Sequence, residues 1–331
     1  MPRLAMLSDW LFISAYGIYM LAALPAAAEY AVGRYPVGQL VMSGTGAPPP
    51  PAGYGPVRST RRSFPERCGR TAVALTVLGA VLHLGSVVLR GLATSRVPWG
   101  NMYEYMSMVG LVAVVGWLYV LRKHPVRKAA VFVLLPISLL LFLAGNVLYT
   151  EAAPVQPSLR SYWILIHVAA AIMASGVFLI SGITSALHLV STRNAAEPAV
   201  GERTEEAGTG SEPSPAAGRA TRVTLLPSPE FLDKLAYRTG VFGFATMTFA
   251  IITGAVWAES AWGRYWAWDP KETAAFVSWV CYAAYLHARS TPSRRKRRAA
   301  WVNLVGLVAV LFNLFFVNLA VSGLHSYAGV N

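Results

Sequence analysis

Charged residues are scarce in this chain. Only 13% of its 331 residues are Asp, Glu, Lys or Arg, while 55% are hydrophobic. An ordinary soluble domain carries about 25% charged residues, so that class is excluded first. Cysteine is nearly absent. Cys68 stands in a basic stretch, Cys281 inside an apolar run, and no C-x-x-C pair occurs. Neither a disulfide framework nor thiol–disulfide chemistry by this chain is expected. Acidic residues are also few, 15 against 28 Lys and Arg, for a net charge of +13. Such a balance suggests nucleic acid, but the basic residues sit in short clusters beside apolar runs. There they orient a chain in a lipid bilayer, so no nucleic acid partner is expected.

Long apolar runs fill the rest. A transmembrane helix needs about 20 predominantly apolar residues. Eight such runs are read at 8–32, 71–90, 102–121, 129–149, 161–190, 236–258, 272–288 and 300–322, the seventh being short. The expected fold is therefore all-α, a polytopic integral membrane protein of about eight transmembrane helices. Segments 33–70, 122–128, 191–238 and 289–298 hold 22 of the 28 Lys and Arg, and they alternate with basic-poor loops. Placing them inside puts both termini outside, and residues 262–272 with them. Ala26-Ala27-Ala28 resembles a signal-peptidase site, but cleavage there would strand the arginine-rich 33–70 loop outside, so an uncleaved span is preferred. Residues 1–70 then form a first helix with a Pro/Gly/Arg-rich inner loop, and residues 71–331 the main membrane domain. The Gly/Pro-rich stretch 43–57 and the polar stretch 193–222 read as disordered inner loops.

One outer segment concentrates chemistry: Trp262-Gly-Arg-Tyr-Trp-Ala-Trp-Asp-Pro-Lys-Glu272. Its acids have a local explanation. Asp269 suits an N-cap, Pro270 the first helical position, and Glu272 completes a capping box. A cap does not require Trp262, Trp266 and Trp268, whose flat indoles offer a platform to a flat apolar ligand or an anchor at the membrane interface. The segment resembles the W-G-x-x-W-x-W-D-x-x-E signature of the WWD haem-handling proteins of cytochrome c biogenesis, with every specified residue present.

The histidines sort by topology. His167, near the outer start of the fifth span, and His325, after the eighth, share the tryptophan segment's side. Two neutral imidazoles can fill both axial positions of a haem iron; the alternative is two interfacial histidines on one face. His287 lies about 22 Å below Glu272 along the seventh helix, past the midplane. His83 is mid-span in the second helix. Intramembrane histidines are functional candidates, with a hydrogen-bonded core residue as the rival reading.

From about residue 71 onward the chain looks like the CcsA/ResC family of System II cytochrome c biogenesis. The match is strongest at 262–272 and at Gly323-Leu-His325-Ser-Tyr327, and includes His83 and Pro98-Trp-Gly-Asn-Met-Tyr-Glu104. The resemblance implies that His167 and His325 ligate haem b at the outer face and that His287 serves an intramembrane haem site completed by a ResB/Ccs1-type membrane protein. It further implies haem delivery across the plasma membrane to an apocytochrome c C-x-x-C-H motif, where thioether bonds form as in a holocytochrome c synthase. Arg264 and Lys271 are the nearest cations for the haem propionates. Two other readings remain: a membrane cytochrome b electron-transfer subunit, and a polytopic transporter of an apolar substrate.

Overall fold

A computed structural model describes residues 2–32, 63–154, 161–196, 226–290 and 296–321. Among the described residues there are eight long helices and no strand. They are α1 (Pro2–Val32), α2 (Phe64–Thr94), α3 (Met102–Lys123), α4 (Ala130–Asn146), α5 (Tyr162–Ala196), α6 (Pro229–Trp262), α7 (Pro270–Ser290) and α8 (Lys296–Ala320). The helices run past the apolar windows because capped polar ends prolong them. In α6 the Ser228 hydroxyl accepts from Phe231 N at 3.3 Å, and Pro229 opens the first turn with its φ already set. α5 continues to Ala196, so the first residues of the polar 193–222 stretch are helical; residues 197–222, 43–57 and His325 lie outside the described residues.

Seven of these helices are both long and apolar enough to cross a membrane, as a polytopic membrane protein requires. The exception is α7. Its 21 residues would span about 31 Å, but it starts with Lys271 and Glu272 and ends with His287 and Arg289. Its Ser278, Tyr282 and Tyr285 are buried against the bundle instead. Tyr282 stacks on Phe178 of α5, ring centroids 3.5 Å apart.

Two packed groups meet along α5. The larger core joins α1 to α4 with α5, and a smaller cluster gathers Phe178, Tyr282, Tyr285, Ala299 and Val310 from α5, α7 and α8. Buried polar ties fix the register of the second group. Asn303 of α8 donates to Ser181 Oγ at 2.9 Å and Ser185 Oγ at 2.7 Å on α5, and Ser181 in turn donates to Ala236 O on α6 at 2.8 Å.

Ion pairs mark the two ends. At one end Arg127 meets Glu29 at 2.8 Å, and Asp233 takes Arg289 at 2.5 Å and Lys296 at 3.7 Å. At the other, where α1 begins and α6 passes to α7, Arg90 and Arg96 converge on Glu104. The tryptophan segment lies at this second end.

Candidate functional site

The tryptophan segment is a short capped turn. Gly263 ends α6 in a left-handed conformation (φ 71°), its N–H donating to Glu259 O at 2.8 Å. Asp269 Oδ2 accepts from Lys271 N at 3.2 Å. Glu272 Oε2 reaches back to Asp269 N at 3.3 Å and Ala267 N at 2.9 Å. Both acids therefore build the start of α7. Just before them Trp268 is held at φ 58°, a region that costs a bulky residue about 1–2 kcal/mol.

That twist separates the tryptophans. Trp268 is 65% exposed and meets the edges of Trp266 and Phe276. Trp266 points inward and lines a cavity of about 600 Å³ between the heads of α3, α5 and α7 and the ends of α6 and α8. This lies within the usual range for small-molecule sites. Trp262 stands behind the wall, edge-on to Trp257 at 4.8 Å. The cavity runs down to Phe178, so the Phe178–Tyr282 stack underlies it.

His167 lines this cavity, and its ring is fixed from the side of α6. Nδ1 lies 2.7 Å from Ala250 O. A carbonyl only accepts, so Nδ1 carries the proton, and in the neutral ring the lone pair is left on Nε2. Nε2 makes no hydrogen bond among the described residues. The helix can come so close because residue 254 is glycine: a Cβ there would sit 2.6 Å from His167 Nδ1. Trp257 lies parallel to the imidazole at 6.4 Å. A histidine with one nitrogen donated to a carbonyl and the other free is the arrangement of an oriented metal ligand.

The remaining candidates are dispersed. Lys271 and Glu272 line the cavity; Arg264 is exposed and does not. His83 is fully buried among α1 to α3, away from the cavity, with Nε2 2.8 Å from Ser107 Oγ and Nδ1 3.5 Å from Tyr19 OH. Both of its nitrogens are engaged. His287 is exposed on α7, toward the basic end.

Several cavity residues were not among the expected ones. Trp99, Arg96, Trp257 and Asn318 all line it. Glu104 fixes the Trp99 wall: its carboxylate takes Arg90 Nε at 3.0 Å, Arg96 Nη1 at 2.7 Å and Gly100 N at 2.8 Å. Arg90 also pairs with Asp9 and donates to Thr150 O, tying α1, α2, α3 and the segment after α4 together. The segment 98–104 carried a signal in its close run of Trp, Asn and Glu, and the Asn101 cap on Glu104 N was readable from it.

Residues 99–325 match the family described as Cytochrome C assembly protein. The chain belongs to that family. Among its relatives, the cytochrome c biogenesis protein CcsA of Synechococcus sp. (strain RCC307) is 36% identical over 275 residues, covering 80% of this chain and 86% of that protein. CcsA of Gloeobacter violaceus is 33% identical over 296 residues, with 78% and 85% covered. These matches make the chain a CcsA-type member. A solved structure of the cytochrome c haem lyase CcmF superposes with a TM-score of 0.60 at 14% identity, over 93% of this chain and 46% of that one. At that identity the likeness concerns the fold alone, and this chain spans less than half of the CcmF length.

Proposed function

We propose that this protein binds haem b in the cavity beneath the tryptophan segment and presents it for attachment to apocytochrome c. The observation that carries this is His167, whose Nδ1 is spent on Ala250 O while Nε2 is left for iron. The residues fit the group. The cavity is large enough for a flat macrocycle, Trp266, Trp99 and Ile251 give it apolar walls, and Gly254 admits the oriented imidazole. By motif, His325 would be the second histidine to hold the haem iron. Trp266 would cover the porphyrin and Trp262 would back that wall through Trp257, while Trp268 stands outside the cavity lining. Lys271, which lines the cavity where Arg264 does not, would be the cation for a propionate.

By the positive-inside rule we read the basic end as inner and the tryptophan end as outer, in a chain we place in the plasma membrane. Cysteine thiols of a C-x-x-C-H motif reach the haem vinyl groups there, and the contribution of this chain is to position the two reactants. His287, exposed on α7, then faces a ResB-type partner, where an intramembrane haem would be shared. The CcsA-type sequence match favours this reading over an electron-transfer cytochrome b or a transporter.

The test is the haem content of purified parent, His167→Ala and His325→Ala proteins. Loss of the Soret band in both variants is expected. Equal haem in a variant and the parent removes that histidine from the site.

A further inference from the structure

Near its end α8 leaves α-helical geometry. Residues Asn313–Val317 form a wider π-helical turn, and Asn313, Leu314 and Asn318 all face the cavity. Such turns are rare and frequently stand at functional sites. Here the turn is bound to the tryptophan segment through one side chain. Asn318 Nδ2 donates to Asn313 O at 3.1 Å and to Leu314 O at 2.7 Å. Both amide hydrogens are thus spent on carbonyls of α8, which fixes the amide's orientation. Oδ1 must then face away from those carbonyls, and it accepts Lys271 Nζ at 2.5 Å.

The lysine is held, but its charge is not neutralised by an ion pair. Among the described residues Lys271 lies in no salt bridge, although the carboxylate of Asp269 is near enough to attract it. The other cation of the wall, Arg96, is occupied: it donates to both oxygens of Glu104 at 2.7 and 3.1 Å and to Ala153 O. The acid of the wall, Glu272, is committed to Ala267 N and Asp269 N. An ammonium has three hydrogens and Asn318 takes one. The cavity therefore presents a largely apolar interior with one oriented cation at its α7–α8 side.

We infer that Lys271, oriented by Asn318 on the π-helical turn, is a carboxylate-binding subsite that makes the cavity select a macrocycle bearing a free carboxylate at one edge. Asn318 is a positioning residue: it aims the ammonium and need not touch the ligand. The inference rests on the haem reading above and adds to it a demand for an ionised propionate at this wall. Charge-assisted hydrogen bonds are the strong class, so esterifying the carboxylate should cost on the order of tenfold or more in affinity.

The experiment titrates the purified full-length protein, stripped of endogenous haem, with haemin and with haemin dimethyl ester, following the Soret band. The parent should prefer haemin by roughly tenfold or more. Lys271→Met and Asn318→Leu should bring the two ligands close to parity, while Lys271→Arg should keep the preference. A parent that binds both alike overturns the carboxylate subsite and leaves the haem site standing. A parent that binds neither overturns the haem reading and this inference with it. Equal losses for both ligands in Lys271→Met, with the preference intact, would make the lysine a structural residue. The parent comparison needs no variant, so misfolding of a mutant cannot shelter the proposal.

Discussion

Trp257 lies against the imidazole of His167, the ring centroids 6.4 Å apart and the planes 10° from parallel. It is almost fully buried, and Trp262 packs edge-on against it. The tryptophan segment therefore reaches the candidate ligand indirectly, through a residue of α6 one turn and more before the motif begins. Gly254 completes this support by letting the Ala250 carbonyl approach His167. Gly254→Ala should displace the ring and lower haem content several-fold while the helices stay folded, because the atoms nearest the added methyl all belong to the His167 ring. Haem per protein and circular dichroism of the variant check this. Parent-like haem in a well-folded Gly254→Ala protein would show that the ring's position does not matter.

The indoles of the motif should not be equivalent. Trp266 lines the cavity and Trp268 is largely exposed. Trp266→Ala is expected to weaken haem retention by at least tenfold more than Trp268→Ala, since of the two only Trp266 offers its indole to a ligand in the cavity. Dissociation of haem to an excess of an apo-globin gives the two rates. The reverse order would place the macrocycle against the outer face of Trp268.

Glu104 should matter for stability more than for ligand contact. Its carboxylate is nearly inaccessible and receives Arg90, Arg96 and Gly100 N. Removing one member of a buried ion cluster leaves uncompensated charge and costs about 3–5 kcal/mol. Glu104→Ala should therefore lower the thermal aggregation midpoint in detergent clearly below the parent's. An unchanged midpoint would mean that the cluster contributes nothing net.

His83 and His287 should leave this cavity alone. His83 is satisfied by Ser107 and Tyr19, and His287 is exposed on the far part of α7. For protein purified without a partner, His83→Asn and His287→Ala should retain the parent's outer-site Soret band. Disappearance of that band in a folded His83→Asn protein would tie the α1–α3 core to haem binding.

What the sequence makes legible follows from the range of each interaction. The Asp269–Glu272 cap is written within four residues: Glu272 returns to Asp269 N as a capping box requires, while the Asp269 carboxylate caps Lys271 N, one residue earlier than the box expects. Eight helices follow from apolar runs, since the bilayer demands length and apolarity in one continuous stretch. α7 is the exception that explains itself: its polar ends and buried tyrosines rely on α5, α6 and α8 for cover. The role of Trp257 was hidden because it precedes the motif and touches His167 only in the folded bundle. Asn318 was hidden for a related reason. No local pattern signals a π-helical turn, and its amide has meaning only beside Lys271. The Arg90–Glu104–Arg96 cluster joins residues of three segments across helix ends, which charge counting along a chain does not reveal.

In the proposed function His167 Nε2 ligates the haem. The most direct test of that ligation is the absorption spectrum of full-length His167→Gly protein, purified with and without imidazole in the medium. Substitution should remove the low-spin haem spectrum, and imidazole entering the vacated space should restore it at the parent's wavelengths. A His167→Gly protein that keeps the parent's haem content and spectrum without imidazole would contradict the account.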